Sequence, residues 1–143
     1  MAELRLAHDS SAPLGVPAHI TILFPFAAAD EVDEVGLEEV IGGYAAFAFD
    51  LATVEHFGDE VTYLAPVPAE PFVALMRAVE TRWPEYPPYG GLHDDPIPHL
   101  TVGECRLELT PPLPLACRAD EVLLLEEAQP GGRWLLRRRL PLA

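Results

Sequence analysis

Hydrophobic and polar residues follow two rhythms along this chain. Residues 18–24, AHITILF, alternate and are mostly β-forming types, which predicts a strand. Residues 46–67, AFAFDLATVEHFGDEVTYLAPV, read as two strands joined by a tight turn at Gly58-Asp59. HLTVGE at 99–104 predicts another strand, and ADEVLLLEEAQPGGRWLLRRRLPL at 119–142 a closing hairpin. The helical rhythm is clearest over 68–83, where Phe72, Leu75, Met76, Val79 and Trp83 recur behind an early proline. A second helix is expected over 30–41, DEVDEVGLEEVI, with acidic residues at its front and Gly42-Gly43 to end it. Its Val32, Val35, Val40 and Ile41 fall on one side. Residues 3–8 fit either the end of a helix or a short strand.

The two halves repeat an order: a Pro/Gly-rich loop, a His-x-Thr strand, an intervening segment and a two-stranded hairpin. That repetition predicts an α+β fold of two pseudo-symmetric lobes around a central cleft. Each lobe would be a small antiparallel sheet with one or two helices, since hairpin connections favour antiparallel pairing. The 143 residues suit a single bilobal domain, lobe one near 1–66 and lobe two near 67–143, with exchange of strands between lobes left open. The halves differ at 104–115, ECRLELTPPLPL, which is too rich in proline for a helix.

Composition narrows the chemistry. All nine basic residues are arginine. Without lysine there is no Walker A phosphate loop and no lysine-based covalent chemistry, whether nucleotidyl-lysine or Schiff base. The net charge of −14 argues against binding an extended duplex, whose affinity comes from neutralising phosphates. It permits a local cationic pocket, because Arg133, Arg137, Arg138 and Arg139 fall within the last eleven residues. No apolar run approaches the roughly 20 residues of a membrane-spanning helix, so no membrane partner is expected. MAELRLAHDSS lacks the basic start and apolar stretch of a secretory signal, so a cytoplasmic protein is expected. Cys105 and Cys117 form neither a CxxC pair nor a zinc pattern and are expected to be reduced thiols.

The sharpest feature is His-x-Thr-aliphatic occurring twice, as HITI at 19–22 and HLTV at 99–102, each time just after proline. Five histidines and six threonines would give about 0.1 chance matches in this chain, so two matches call for an explanation. On a strand, His19 and Thr21 would share a face, as would His99 and Thr101, with imidazole and hydroxyl about 7 Å apart. Ile20, Ile22, Leu100 and Val102 would then point into the core. Two imidazoles and two hydroxyls across a cleft suit a tetrahedral oxyanion such as phosphate. A neutral imidazole removes a proton, a protonated one supplies it to a departing oxygen, and the hydroxyls hold non-bridging oxygens. Such chemistry requires neither metal nor cofactor.

These two motifs resemble those of the 2H (two-histidine) phosphoesterase superfamily, and within it the bacterial 2′-5′ RNA ligase family proteins. GVPAHITILFPF and RWPEYPPYGG…PHLTV also look like that family's context. The resemblance implies a bilobal fold with His19 and His99 across a central cleft as the acid/base pair, and Thr21 and Thr101 as phosphate ligands. It implies substrates with 2′,3′-cyclic phosphates or 2′-5′ phosphodiester bonds, as RNA ends or small cyclic nucleotides, and either cleavage or ATP-independent joining.

Other residues are weaker candidates. Tyr86 and Tyr89 precede the second motif and could stack on a base or pack on the loop's prolines. Arg137 and Arg139 share one face of the last strand and could bind phosphate, or serve as charge on a solvated edge. Phe24 and Phe26 suit packing. His93-Asp94-Asp95 offers metal-type ligands without a fourth, which favours a solvated loop. His8 and His56 lack a partner pattern, Arg77 and Arg82 suit the polar face of the helix at 68–83, and HDSS at 8–11 shows no nucleophile elbow. Two rivals to the enzyme stay open at this level: a nucleotide- or phosphate-binding module that keeps the cleft without the chemistry, and an interaction protein in which both motifs are structural.

Overall fold

The computed structural model describes residues 2–87 and 96–143. The long hairpin forms where alternation predicts it: β1 (Phe47–Phe57) pairs antiparallel with β2 (Val61–Val67). Gly58 takes φ +56° in the turn, a left-handed value that glycine adopts without a Cβ clash. Strands from the second half of the chain extend this hairpin on both sides. β3 (Leu100–Gly103) adds to β2 and β4 (Leu115–Ala119) to β1, giving the order β3-β2-β1-β4. β4 follows directly on the prolines of 111–114, with no alternation to announce it. It sits at an edge, where a neighbouring proline's missing N–H does least harm. β5 (Glu121–Glu127) and β6 (Trp134–Pro141) form a separate antiparallel pair. The result is the α+β class expected from the pattern.

Three α-helices are present among the described residues. Residues 3–8 prove helical, as α1 (Ala2–His8). In α2 (Glu34–Gly42), Asp33 caps the first turn by accepting from Gly36 N at 2.9 Å, and Gly43 ends it. Its buried stripe runs through Gly36, Leu37 and Ile41, while Val35 is 64% exposed. Of the expected stripe, Ile41 is in the first core and Val32 and Val40 pack against it, but Val35 is corrected: packing against α3 (Glu70–Arg82) and β6 buries Leu37, the i, i+4 partner of Ile41, and leaves valine at 35 in water. In α3 the foreseen positions are buried: Phe72, Leu75, Met76 and Val79, with Trp83 just beyond the last turn. Phe72 sets its ring edge-on to Phe47 and Phe49, each at 4.9 Å, which docks α3 on β1. No helix among the described residues is long and apolar enough to cross a membrane.

Two cores result. Leu37, Ile41, Leu75, Val79, Trp83, Leu140 and Leu142 join α2, α3 and the β5-β6 pair. Leu51, Leu64 and Val102 seal the four-stranded sheet, with Leu4 of α1 and Leu100 against them. Burying each such side chain contributes about 1.5–3 kcal/mol.

One expected element is absent. Residues 18–24 form no strand and pair with no ladder among the described residues. A strand exists by virtue of its partner, and β-forming side chains alone do not supply one. Prolines at 17 and 25 bracket the segment and remove two donors, while the carbonyls leading into it bond elsewhere: Leu14 O accepts from Trp134 N at 2.8 Å, and Val16 O from Arg5 Nη2 at 3.1 Å.

Candidate active site

The second motif is built on the sheet. His99 directly precedes β3, Val102 is fully buried and Leu100 packs on the second core, so alternation turns Thr101 to the other face. Thr101 is the register partner of Tyr63, and Tyr63 of Glu55, which makes one row across β3, β2 and β1. Phe57 and Tyr63 stack at 4.3 Å on the hairpin diagonal, and both meet the His99 ring edgewise, at 5.1 and 5.5 Å. Burial pushes the Tyr63 phenol above its ordinary range, with the Glu55 carboxylate adding to the effect. At Gly103, the last residue of β3, a Cβ would come within 2.7 Å of Leu107 Cδ1 and 3.1 Å of His8 Cβ, and the chain then bends at Glu104-Cys105. The buried Thr62 hydroxyl holds that turn, donating to Cys105 O and accepting from Leu107 N, both at 2.8 Å.

The first motif is a loop gripped from both ends. Upstream, α1 supplies Arg5, which bonds Val16 O and is ion-paired to Asp9 at 3.0 Å, both side chains being buried. Trp134 N holds Leu14 O, and downstream Phe24 lies edge-on to the Trp134 ring at 6.2 Å. Ile22, Leu23 and Phe26 pack on the first core.

Despite these different supports, the two histidines make the same local bond. His19 Nδ1 lies 2.7 Å from Pro17 O, and His99 Nδ1 lies 2.7 Å from Ile97 O. A carbonyl only accepts, so Nδ1 carries the hydrogen in both rings and Nε2 is left as the other ring nitrogen. Among the described residues, neither the Thr21 nor the Thr101 hydroxyl has a hydrogen-bond partner. Helix α1 touches both supports. Besides Arg5 to Val16, its His8 O accepts from Glu104 N at 2.8 Å, and the following Ser10 bonds Glu104 Oε1 through its amide and, at 2.5 Å, its hydroxyl.

The remaining candidates sit as follows. The Tyr86 ring packs edgewise on Phe26 at 5.2 Å, against the first core. Arg137 is engaged by Ala29 O and by the carboxylates of Glu34 and Glu126, and Arg139 by Glu121. His56 Nε2 lies 2.9 Å from Leu107 O, and His8 Nδ1 3.9 Å from Cys105 Sγ. Cys105 and Cys117 are unpaired; burial raises the Cys117 thiol, with Asp50 adding to it. Tyr89 and His93-Asp94-Asp95 lie outside the described residues. Among those described, no group of three or more His, Cys, Asp or Glu side chains could hold a metal ion. Phe57 and Tyr63 were not among the sequence candidates. The signal for them is weak but present, as aromatics two register steps apart on a predicted hairpin, and nothing local says that His99 packs on them.

The profile of the 2′-5′ RNA ligase superfamily matches residues 1–134. No curated protein matches the chain in sequence. Among solved structures, TT0787 of Thermus thermophilus is similar with a TM-score of 0.61 and 19% identity, over 98% of this chain and 90% of that one. E. coli LigT, solved in complex with 3′-AMP, gives a TM-score of 0.61 and 17% identity over 99% and 92%. A third structure, titled simply a phosphoesterase, gives 0.59 and 18% over 99% and 93%. At these identities the likeness is one of fold.

Proposed function

The chain belongs to the 2′-5′ RNA ligase superfamily, and from that premise we propose that it is a 2H-type phosphoesterase acting on 2′,3′-cyclic phosphate or 2′-5′ phosphodiester ends of RNA or small nucleotides. The observation that carries the reading is the matched bond from each Nδ1 to the carbonyl two residues earlier, which leaves each Nε2 as the ring nitrogen available for proton transfer. The neighbour LigT bound to 3′-AMP supports a nucleotide ligand.

For a cyclic phosphate, one Nε2 takes a proton from water as the water oxygen bonds to phosphorus. One ribose oxygen–phosphorus bond breaks, and the other histidine, already protonated, delivers its Nε2 proton to that ribose oxygen. The product is a phosphomonoester beside a free hydroxyl. Thr21 and Thr101 donate to the non-bridging oxygens where charge gathers. In the reverse direction the histidines exchange roles. An alcohol in place of water gives ligation by the same steps.

The test is hydrolysis of 2′,3′-cyclic AMP by the native protein, His19→Ala and His99→Ala, with chelator present. Each substitution is expected to lower kcat by about 10²–10⁴-fold with folding intact. A native protein that turns over neither cyclic nor 2′-5′-linked substrates between pH 5.5 and 8 would sink the proposal.

A further inference from the structure

We propose that Arg133 is a phosphate-binding residue on the His19 side of the site, an inference that rests on the functional reading above. Eight of the nine arginines are matched to carboxylates: Arg5 to Asp9, Arg77 to Glu80, Arg82 to Asp33, Arg106 to Glu108, Arg118 to Asp120, Arg137 to Glu34, Arg138 to Glu38 and Arg139 to Glu121. Arg133 is the exception. Among the described residues, its guanidinium has no carboxylate and no hydrogen-bond acceptor. In so acidic a chain, an arginine left unmatched among the described residues keeps an anion site open.

Its position gives that site a purpose. A Cβ built on Gly15, at φ +94°, would stand 3.2 Å from Arg133 Nη2 and 3.2 Å from Trp134 O. The guanidinium therefore lies against the loop that delivers His19 four residues later, and glycine is what allows the close approach. Its neighbour Trp134 is tied to both flanks of the motif, through Leu14 O and the Phe24 ring. Arg133 is thus held beside the first motif through its neighbour Trp134, while its side chain remains exposed. A planar guanidinium suits a phosphate through paired N–H donors, and the ligand class it fits is the phosphate of a nucleotide or RNA end. Arg137 and Arg139 carry the same group but are already committed to glutamates.

The experiment compares the native protein with Arg133→Gln, Arg133→Lys and Arg118→Gln. Arg118 is exposed on β4 and controls for the loss of one positive charge. Hydrolysis of 2′,3′-cyclic AMP and calorimetric titration with 3′-AMP are read together, with thermal midpoints checking the fold. Arg133→Gln is expected to raise KM and weaken 3′-AMP binding by about tenfold each, with kcat within about twofold, because the contact is made equally in ground and transition states. Arg133→Lys should recover part of the loss, and Arg118→Gln should match the native protein. If Arg133→Gln tracks Arg118→Gln in both assays, the inference is overturned. Should the native protein show no turnover, the functional reading falls, yet the titration still decides Arg133. A loss of 3′-AMP affinity confined to the Arg133 variants upholds it; equal affinity in all variants, or no binding by the native protein, removes it.

Discussion

At the second motif the backbone is bonded into the β2 ladder with Val102 sealed beneath it, whereas residues 19–22 join no ladder among the described residues, and the chain leading into them is held at Val16 by α1 and at Leu14 by β6, with Ile22 against the first core. Both segments nonetheless present a histidine with the same 2.7 Å bond to the carbonyl two residues back. The bond that sets the tautomer is therefore local and needs no sheet. What the sheet provides at His99, and the loop clamps must provide at His19, is the direction in which the ring points. The two sites share a chemistry and differ in what would disturb it. A ladder shares strain among many backbone bonds, while the loop depends on a few named contacts.

The largest effect should come from treating the motifs as one machine. If His19 and His99 act in the same turnover, the double variant His19→Ala/His99→Ala should be no slower than the worse single variant, because losses in a coupled unit are far from additive. Independent roles would instead multiply the two losses. Single-turnover hydrolysis of 2′,3′-cyclic AMP distinguishes these outcomes.

Next are the anchors. Asp9→Ala leaves the Arg5 guanidinium buried without its carboxylate and should cost about 3–5 kcal/mol in denaturant unfolding, loosening the loop before His19. Ser10→Ala removes an exposed bond to Glu104 beside the second motif and should cost no more than about 1 kcal/mol. Equal costs would contradict the view that the first motif leans on a few contacts, this buried ion pair among them, while the second rests on its sheet.

The smallest effect concerns the wall behind His99. Because burial holds the Tyr63 phenol above its ordinary value near 10, the unfolded chain ionises first as pH rises. The folded state then binds more protons than the unfolded one, so this contribution to stability is present below about pH 10 and is lost as pH climbs through the raised value. Tyr63→Phe should therefore show a smaller fall in thermal midpoint between pH 9 and pH 11 than the native protein. The difference should amount to a few degrees at most.

Much of this was legible before any coordinates. The hairpin of β1 and β2, the buried face of α3 from Phe72 to Trp83, the β5-β6 pair and the absence of a helix over 104–115 all follow from residues a few positions apart. So does the paired motif itself. The segment at 18–24 departs from its pattern for a definite reason: AHITILF has the side chains of a strand, but pairing is a property of two segments, and among the described residues no partner comes to it. The stripe on α2 shifted from Val35 to Leu37 because neighbours choose which side of a short, acidic helix is covered.

The sequence by itself determined the periodicities, the lack of lysine, and the repeated histidine with a carbonyl two residues behind it, since each is set within one stretch of chain. Only the tertiary structure decided that strands of the second half flank the first hairpin, that Phe57 and Tyr63 back His99, and that Arg133 lies against Gly15. Those contacts join segments far apart along the chain. They form when burial of two separate cores offsets the entropy of closing long loops, a balance that belongs to the whole chain and to no single stretch of it.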